Sequence, residues 1–344
     1  MYVVHGSYFV DNFGDTLLVK LMCDRVAEIV GKENVYLATV GHQNEQLSIG
    51  YPVVSAELKG KVTHLIYAGG GYFGEPPSKG FSLFRWYVRN YFRHSHWLKE
   101  YENAKVAVFG VGFGPLKFLG LERFIIKPLK AAEMVLVRDK QSFDYLKKNR
   151  LLSEKKVDIC VDYALSLDSI HAEKNSKIAL HVPNLDVENI AKLIEGIMAS
   201  EYTNNSIDFI LDSSSDFSDE RVRDIKTLIS ELGFAGSVEF VNYDNVSSLI
   251  SRLSRYMFVI TTKLHVGIVS TAIGTKVISV PGHPKTLRFY KQIELENFCI
   301  PKRELTALSI TQLISKLDEF KPNKVVINKG VNKLNDYIEK FCKS

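Results

Sequence analysis

Residues 257–284, MFVITTKLHVGIVSTAIGTKVISVPGHP, are the stretch that decides the fold. The stretch begins and ends with short apolar runs. Between these runs, Ile268, Val269 and Ala272 recur at the spacing of a buried helical face. This pattern predicts a strand, a helix and a second strand, with the helix starting at the carboxyl end of the first strand. Ligands bind at that end of the strands in open α/β sheets.

The start of this predicted helix carries the chemistry that favours a binding site. Thr261 and Thr262 can accept hydrogen bonds from the first helical N–H groups, and Lys263 and His265 follow at once. A helix N-terminus has unpaired N–H donors and a partial positive charge, so a lysine and a histidine placed there indicate a site for phosphate or carboxylate. The alternative is a structural histidine bonded to a nearby loop, with the lysine in water.

Composition limits the class of protein. A chain of 344 residues with 46% hydrophobic residues can bury a large core, and its length favours two domains. The net charge of +5 is mild and dispersed, which argues against a nucleic-acid-binding protein. The four cysteines lie far apart, without the spacing of a metal site or a disulfide framework, so we expect a reducing cytoplasm. We see no signal peptide and no apolar run of bilayer-spanning length.

Strands and helices alternate along the whole chain, which predicts parallel sheets with right-handed crossovers. We therefore expect an α/β protein with two doubly wound Rossmann-like domains facing a cleft. The predicted domains are residues 1–170 and residues 171–308. A helical tail, residues 309–344, could pack back on the first domain.

Several loops of the first domain follow predicted strands and so belong to the same expected sheet edge. DNFGD (11–15), the glycine run 69–74 and GVGFGP (110–115) allow a ligand to approach the backbone closely. The run 69–74 formally matches GxGxxG, but Pro76 and Pro77 block the helix that a dinucleotide site needs. The competing interpretation is plain turns, with Asp15 capping the first long helix. The candidates here are Asn12, Gly14, Asp15, Gly70, Gly71, Glu75, Gly112, Arg138 and Asp139.

Residues 81–101 hold both tryptophans and interleave aromatic residues with arginines. Arg85, Arg89 and Arg93 recur every four residues and would form one basic row on a helix, with the aromatic residues facing other directions. Such a helix can contact a membrane interface peripherally, or it can be a surface helix whose apolar side joins the core.

Taken in order, these landmarks resemble the polysaccharide pyruvyl transferase family. They are Gly6 with NFGD (12–15), GGG (69–71), GVGFGP (110–115), VRDKQS (137–142), Asp162, and KLH (263–265) followed by Gly274. The resemblance implies a fold similar to the two-domain GT-B glycosyltransferases, with residues 1–170 on the acceptor side and residues 171–308 on the donor side. It also implies transfer of the enolpyruvyl unit of phosphoenolpyruvate to a sugar of a bacterial surface glycan or its lipid-linked precursor, with no metal or cofactor.

The resemblance places His265 at the donor as general acid or ligand, with Lys263 holding the anion. Lys263 stands where the family usually has arginine, and His181 holds another place where arginine is frequent. The remaining donor-side candidates are Thr262, Gly274 and Lys285. Two other functions stay open: a GT-B-type glycosyltransferase that uses a nucleotide-activated sugar, and a non-catalytic glycan-binding subunit.

Overall fold

The computed structural model describes residues 1–8, 12–40, 43–74, 80–116, 122–149, 151–152 and 156–344. The chain forms two compact units. Unit 1 comprises Met1–Tyr163 with Ile327–Ser344, and unit 2 comprises Ala164–Val326. The predicted site residue Glu75 lies outside the described residues.

Unit 1 is built on a parallel sheet that has seven strands in the described part of the chain, in the order β2-β1-β3-β5-β6-β7, with β4 paired to β5. The strands are β1 (Tyr2–His5), β2 (Val35–Leu37), β3 (His64–Tyr67), β4 (Gly70–Phe73), β5 (Lys105–Phe113), β6 (Met134–Val137) and β7 (Val157–Ile159). The first helices are α1 (Phe13–Val30), α2 (Gln43–Ile49), α3 (Gly80–Asn90), α4 (Trp97–Glu100), α5 (Glu122–Ile125), α6 (Lys127–Ala131) and α7 (Lys140–Lys148).

Unit 2 has a second parallel sheet, of five strands within the described residues, in the order β10-β9-β8-β11-β12. Its strands are β8 (Lys177–His181), β9 (Ser206–Ile210), β10 (Val238–Val241), β11 (Phe258–Thr261) and β12 (Lys276–Ser279). Its helices are α8 (Val187–Met198), α9 (Asp219–Leu232), α10 (Val246–Leu253), α11 (Leu264–Ala272), α12 (Pro284–Gln292) and α13 (Ala307–Ile314). Helix α14 (Lys324–Cys342) begins at the end of unit 2 and makes up most of Ile327–Ser344, the last segment of unit 1.

The central strands β3, β6 and β11 are buried at nearly every position, as expected for parallel sheets that are covered by helices on both faces. In unit 2, β11 is fully buried and α11, which follows it, is buried at nearly every position. The strand, helix and strand predicted for residues 257–284 are therefore confirmed as β11, α11 and β12. Among the helices that the structure describes, none is long and apolar enough to cross a bilayer.

The structure corrects three local predictions in unit 1. The glycine run after β3 was expected to be a loop, but Gly70–Phe73 forms β4, whose Gly70 pairs with Val111. The GVGFGP loop is likewise partly strand, because β5 continues to Phe113. Asn12, rather than Asp15, caps α1, by accepting hydrogen bonds from two backbone N–H groups of its first turn. In the two glycine-rich places, pairing with β5 or its extension replaced the open turn that glycine content suggested, and at α1 the side chain three residues earlier satisfied the helix N–H groups.

A buried cluster in unit 1 joins His5 of β1 to His94, with 2.8 Å between His5 Nε2 and His94 Nδ1. Tyr67 donates its hydroxyl to the carbonyl of His94 at 2.6 Å, and the Tyr72 ring stacks on His94. Burial, with a smaller contribution from His96, lowers the pKa of His5 to about 3. Burial, followed by the charge of His5, also lowers the pKa of His94 well below its ordinary value. Both rings are therefore neutral in the folded protein at neutral pH.

This cluster makes unit 1 sensitive to acid. Because the unfolded histidine binds its proton near pH 6.5 and folded His5 does not, stability is complete above about pH 6.5 and falls as the pH drops towards the folded pKa. At about pH 5, the suppressed protonation of His5 alone should lower the free energy of unfolding by about 2 kcal/mol. Urea unfolding followed by tryptophan fluorescence tests this, since Trp86 and Trp97 both lie in unit 1. We expect a lower midpoint at pH 5 than at neutral pH, and a smaller difference in His5→Gln but not in His171→Gln, which alters an exposed histidine.

Candidate functional site

Three side chains from separate parts of unit 2 meet where β8, β9 and β11 end. Lys263 Nζ lies 2.5 Å from Asp212 Oδ1, and His181 Nε2 lies 3.3 Å from the same oxygen. The sheet order places β8 between β9 and β11, so parallel pairing brings their carboxyl ends to one edge. We call these three residues the Asp212 cluster.

Thr261 and Thr262 connect this cluster to the backbone. The Thr261 hydroxyl contacts His181 Nδ1 at 3.0 Å and accepts a hydrogen bond from the backbone N–H of Lys263 at 3.1 Å. The backbone N–H of Thr262 donates to the carbonyl of His181 at 3.0 Å. These bonds fix the end of β11 against β8 and so determine where α11 begins.

The first turn of α11 begins with a cationic residue. Lys263 is the N-cap residue, and its own side chain makes no capping hydrogen bond to the helix. The first N–H groups of a helix have no partner within the helix, and they carry its partial positive charge. Lys263 and the second helical residue, His265, are therefore placed beside donors that suit a phosphate or carboxylate.

Exposure divides the cluster into two roles. His181 is 0% exposed and Asp212 is 4% exposed, whereas the Lys263 side chain is 33% exposed. His265 is also partly exposed. A bound molecule could touch Lys263 and His265, but His181, which the sequence placed among the donor-binding residues, is enclosed and can act only by holding its neighbours.

Asp212 is ionised in this arrangement. Burial on its own would raise the pKa of its carboxyl, but the contacts with His181 and Lys263 outweigh burial and hold that pKa below its ordinary value. The Lys263 charge is consequently anchored by a buried carboxylate rather than free in water. Removing the Lys263 ammonium would leave Asp212 with His181 alone, so Lys263 affects folding as well as binding.

The two remaining donor-side candidates lie at opposite edges of the sheet. Lys285 belongs to the first turn of α12, which follows β12, and it therefore shares the edge of the Asp212 cluster. Gly274 has a φ of 89° just beyond the other end of α11. Because α11 has 9 residues, Gly274 lies about 14 Å along the helix axis from the N-terminus of α11. The structure does not bring Gly274 to the site.

In unit 1, the candidates of the first loop build the start of α1. Asn12 Oδ1 accepts hydrogen bonds from the N–H groups of Gly14 at 3.0 Å and Asp15 at 3.3 Å. Asp15 Oδ1 would lie 3.1 Å from a Cβ at Gly70, so this turn is packed closely against the start of β4. Gly71, the next residue of β4, is partly exposed. Asn12, Gly14, Asp15, Gly70 and Gly71 thus gather at the carboxyl edge of the first sheet.

The candidates near β6 are explained by packing within unit 1. Arg138 is 6% exposed and donates through Nη1 to Asp162 Oδ2 at 2.8 Å. A Cβ at Gly112 would lie 3.1 Å from Arg138 Nε, so a larger residue there would have to displace the guanidinium slightly. Asp139 caps α7 by accepting the N–H of Ser142 at 2.8 Å. These contacts give Gly112, Arg138 and Asp139 a structural role.

Sequence reasoning missed Asp212. The sequence predicts a strand over residues 207–212 with Asp212 as its last residue, and this was its one signal, but nothing in the sequence indicated which strands are neighbours. Within the residues that the structure describes, no three histidine, cysteine or acidic side chains are grouped to hold a metal ion. All four cysteines are free and buried.

Comparison with known proteins identifies both the family and the fold. The family model for polysaccharide pyruvyl transferases matches residues 12–284. No curated protein matches the chain in sequence. Among solved structures, the UDP-GlcNAc 2-epimerase from Neisseria meningitidis bound to UDP-GlcNAc has a TM-score of 0.62 at 10% identity, covering 99% of this chain and 98% of that one. A glycosyltransferase from Rickettsia africae has a TM-score of 0.52 at 12% identity, covering 99% and 93%.

At these identities the structural likeness establishes the fold, which is of the GT-B type with two Rossmann-like sheets. The epimerase from Methanocaldococcus jannaschii, solved with UDP-GlcNAc and UDP, agrees at a TM-score of 0.51 and 8% identity, covering 93% of this chain and 92% of its own. The predicted fold class is therefore confirmed. The family match covers more than half of the chain and includes the α11 site.

Proposed function

The chain belongs to the polysaccharide pyruvyl transferase family and is thus a transferase, and we propose that it moves the enolpyruvyl group of phosphoenolpyruvate to a sugar of a bacterial surface polysaccharide or its lipid-linked precursor. The observation that carries the proposal is the N-terminus of α11, where Lys263 and His265 lie within the family match. This site suits a donor that bears both a phosphate and a carboxylate.

The proposed reaction forms a ketal in two steps. In the first, a sugar hydroxyl adds through its oxygen to C2 of the donor and gives up its proton, while a general acid protonates the C3 methylene to a methyl group. In the second, another hydroxyl of the same sugar attacks C2, loses its proton, and phosphate leaves with the electrons of the C2–O bond. The protein must therefore deliver a proton to C3, which a hydroxyl proton then replaces, and stabilise the departing anion.

The residues at α11 fit these two tasks. His265 is the general acid of the proposal, because a histidine can exchange a proton near neutral pH and its side chain is accessible. Lys263 and the helix N–H groups bind the anion, and the buried His181 and Asp212 hold Lys263 in place. Lys285 lies on the same sheet edge and adds a second positive charge.

The proposal invokes no metal or cofactor. Lys263, Lys285 and the N–H groups of α11 supply the positive charge that stabilises the departing phosphate. The carboxyl edge of unit 1, with Asp15 and Gly70, is assigned to the acceptor. We place the protein in the cytoplasm, at the inner face of the membrane when the acceptor is lipid-linked, with residues 81–101 as the part of the chain that contacts the membrane.

Donor binding is tested by thermal shift. A ligand present at 100 times its dissociation constant stabilises the protein that binds it by about 2.7 kcal/mol, which raises the melting temperature measurably. We expect this shift with phosphoenolpyruvate and none with UDP or CMP compounds. A rise in melting temperature with a nucleotide, and none with phosphoenolpyruvate, would contradict the proposed donor.

A nucleotide-activated sugar is the alternative donor, and one cavity favours it. The cavity is about 380 Å³ in volume and lies beside the ends of β8 and β9, with Leu180, Phe209, Phe217, Ser218 and Arg221 in its wall. Aromatic and apolar walls with a few polar groups are typical of small-molecule sites. The alternative function is then glycosyl transfer in surface glycan synthesis, and the same thermal-shift series separates it from pyruvyl transfer.

A further inference from the structure

Residues 81–93 of unit 1 have a buried side that is already filled. They comprise α3 and the beginning of a π-helical turn, Tyr91–Ser95, that continues it. Leu83, Tyr87 and Asn90 take the buried positions, with Asn90 donating to the carbonyl of Tyr72. The core therefore does not need the other apolar residues of this helix.

Those other residues are exposed in one row. Phe81 is 70% exposed, Phe84 45%, Val88 39% and Phe92 63%. Of the nine large apolar side chains that are exposed in the described part of the chain, these four fall within residues 81–92. At 100° per residue, the three members of the row in α3 lie within about 60° of one another. Leaving this apolar row exposed to water is unfavourable, so the row indicates a partner that covers it.

The charge beside the row specifies the kind of partner. Arg85, Arg89 and Arg93 are exposed along its flank, and the Arg85 guanidinium lies 5.2 Å from the centre of the Phe81 ring. Between residues 81 and 99 the sequence has no aspartate or glutamate. Phenylalanines beside a row of arginines match the boundary between acyl chains and anionic headgroups.

We propose that this aromatic–arginine face, Phe81, Phe84, Val88 and Phe92 with the three arginines, docks on an anionic phospholipid surface. The apolar row enters the acyl boundary while the arginines contact headgroup phosphates. The sequence predicted a basic row with the aromatic residues facing other directions, whereas in the structure the exposed aromatic residues lie directly beside the arginines. The inference rests on the proposed function in one respect: docking would bring unit 1 to a lipid-linked acceptor.

The test is vesicle co-flotation of the full chain without donor or acceptor, so failure of the proposed reaction does not affect it. We expect the wild type to bind vesicles of phosphatidylcholine with phosphatidylglycerol, to bind pure phosphatidylcholine far less, and to bind more weakly as salt rises. Replacing Arg85, Arg89 and Arg93 with glutamine should weaken binding to the anionic vesicles by roughly 100-fold and remove most of the salt dependence.

Phe81→Ser, Phe84→Ser and Phe92→Ser together should lower binding by at least about 100-fold at every salt concentration, because each removes a side chain that enters the acyl boundary. Leu47→Ser is the matched apolar control, since Leu47 is 74% exposed on α2 of the same unit. Arg223→Gln with Arg303→Gln is the charge control, because both arginines are exposed elsewhere. The controls should bind as the wild type does.

Several results would overturn the proposal. These are equal binding to both kinds of vesicle, equal loss in the control variants, or no loss in the face variants when their circular dichroism is native. Light scattering provides the remaining check. A dimer that dissociates in the phenylalanine variants, with no vesicle binding by the wild type, would make a second copy of the chain the occupant of this face.

Discussion

Replacing His265 with asparagine should lower turnover by roughly 100-fold or more while donor affinity falls much less. Asparagine keeps a polar side chain on the first turn of α11 but cannot deliver a proton to the donor. The anion would still meet Lys263 and the helix N–H groups, so binding should persist. Phosphate release per folded molecule, measured with glycosides that have two free hydroxyls, gives turnover, and thermal shift gives donor affinity.

His171→Asn is the control for this experiment, because His171 is an exposed histidine of the same unit outside the site. It should leave both turnover and affinity unchanged. If His265→Asn instead melts far below the wild type and turns over normally per folded molecule, His265 is a structural histidine. The general acid would then have to be sought elsewhere in the protein.

Asp162→Ala should destabilise unit 1 by roughly 3–5 kcal/mol, because it removes the carboxylate that pairs with the buried guanidinium of Arg138. The pair is almost wholly enclosed, with side-chain exposures of 7% for Arg138 and 3% for Asp162. Urea unfolding followed by tryptophan fluorescence reports on the unit that contains both residues. Replacing the pair together, Arg138→Met with Asp162→Leu, should recover much of the loss, since no buried charge then remains unpaired.

Asp144→Ala is the matched control, because it removes a carboxylate that pairs with Lys140 on α7 in water, where the two side chains are 54% and 80% exposed. Exposed pairs contribute little, so the midpoint should hardly move. A similar midpoint for Asp162→Ala and Asp144→Ala would show that the buried pair does not stabilise unit 1.

Local sequence patterns were enough to predict part of the candidate site. Lys263 and His265 are sequence neighbours at the start of one helix, so the order of strand and helix in residues 257–284 was enough to place them beside helix N–H donors. The same reasoning found the start of α1, although the cap proved to be Asn12 rather than Asp15. Two residues of similar capping ability stood three apart, and only the backbone geometry distinguished them.

Local sequence patterns could not predict the contacts between segments that are distant in the chain. Asp212 and Lys263 are 51 positions apart in sequence, and they meet because β9 and β11 flank β8. Gly70–Phe73 became a strand because β5 was available to pair with it. Gly274 shared a sequence stretch with the site but was carried to the other end of α11. In each case, strand order rather than residue type decided the neighbour.

The sequence by itself determined the alternation of strands and helices, the family landmarks and the position of the α11 site, because all of these depend on residues close together in the chain. The tertiary structure alone decided that His181 is enclosed, that Asp212 anchors Lys263, and that Phe81, Phe84 and Phe92 face solvent beside the arginines. The physical reason is that burial and ion pairing depend on which surfaces meet, and a periodic pattern of apolar residues shows where a face lies without showing what covers it.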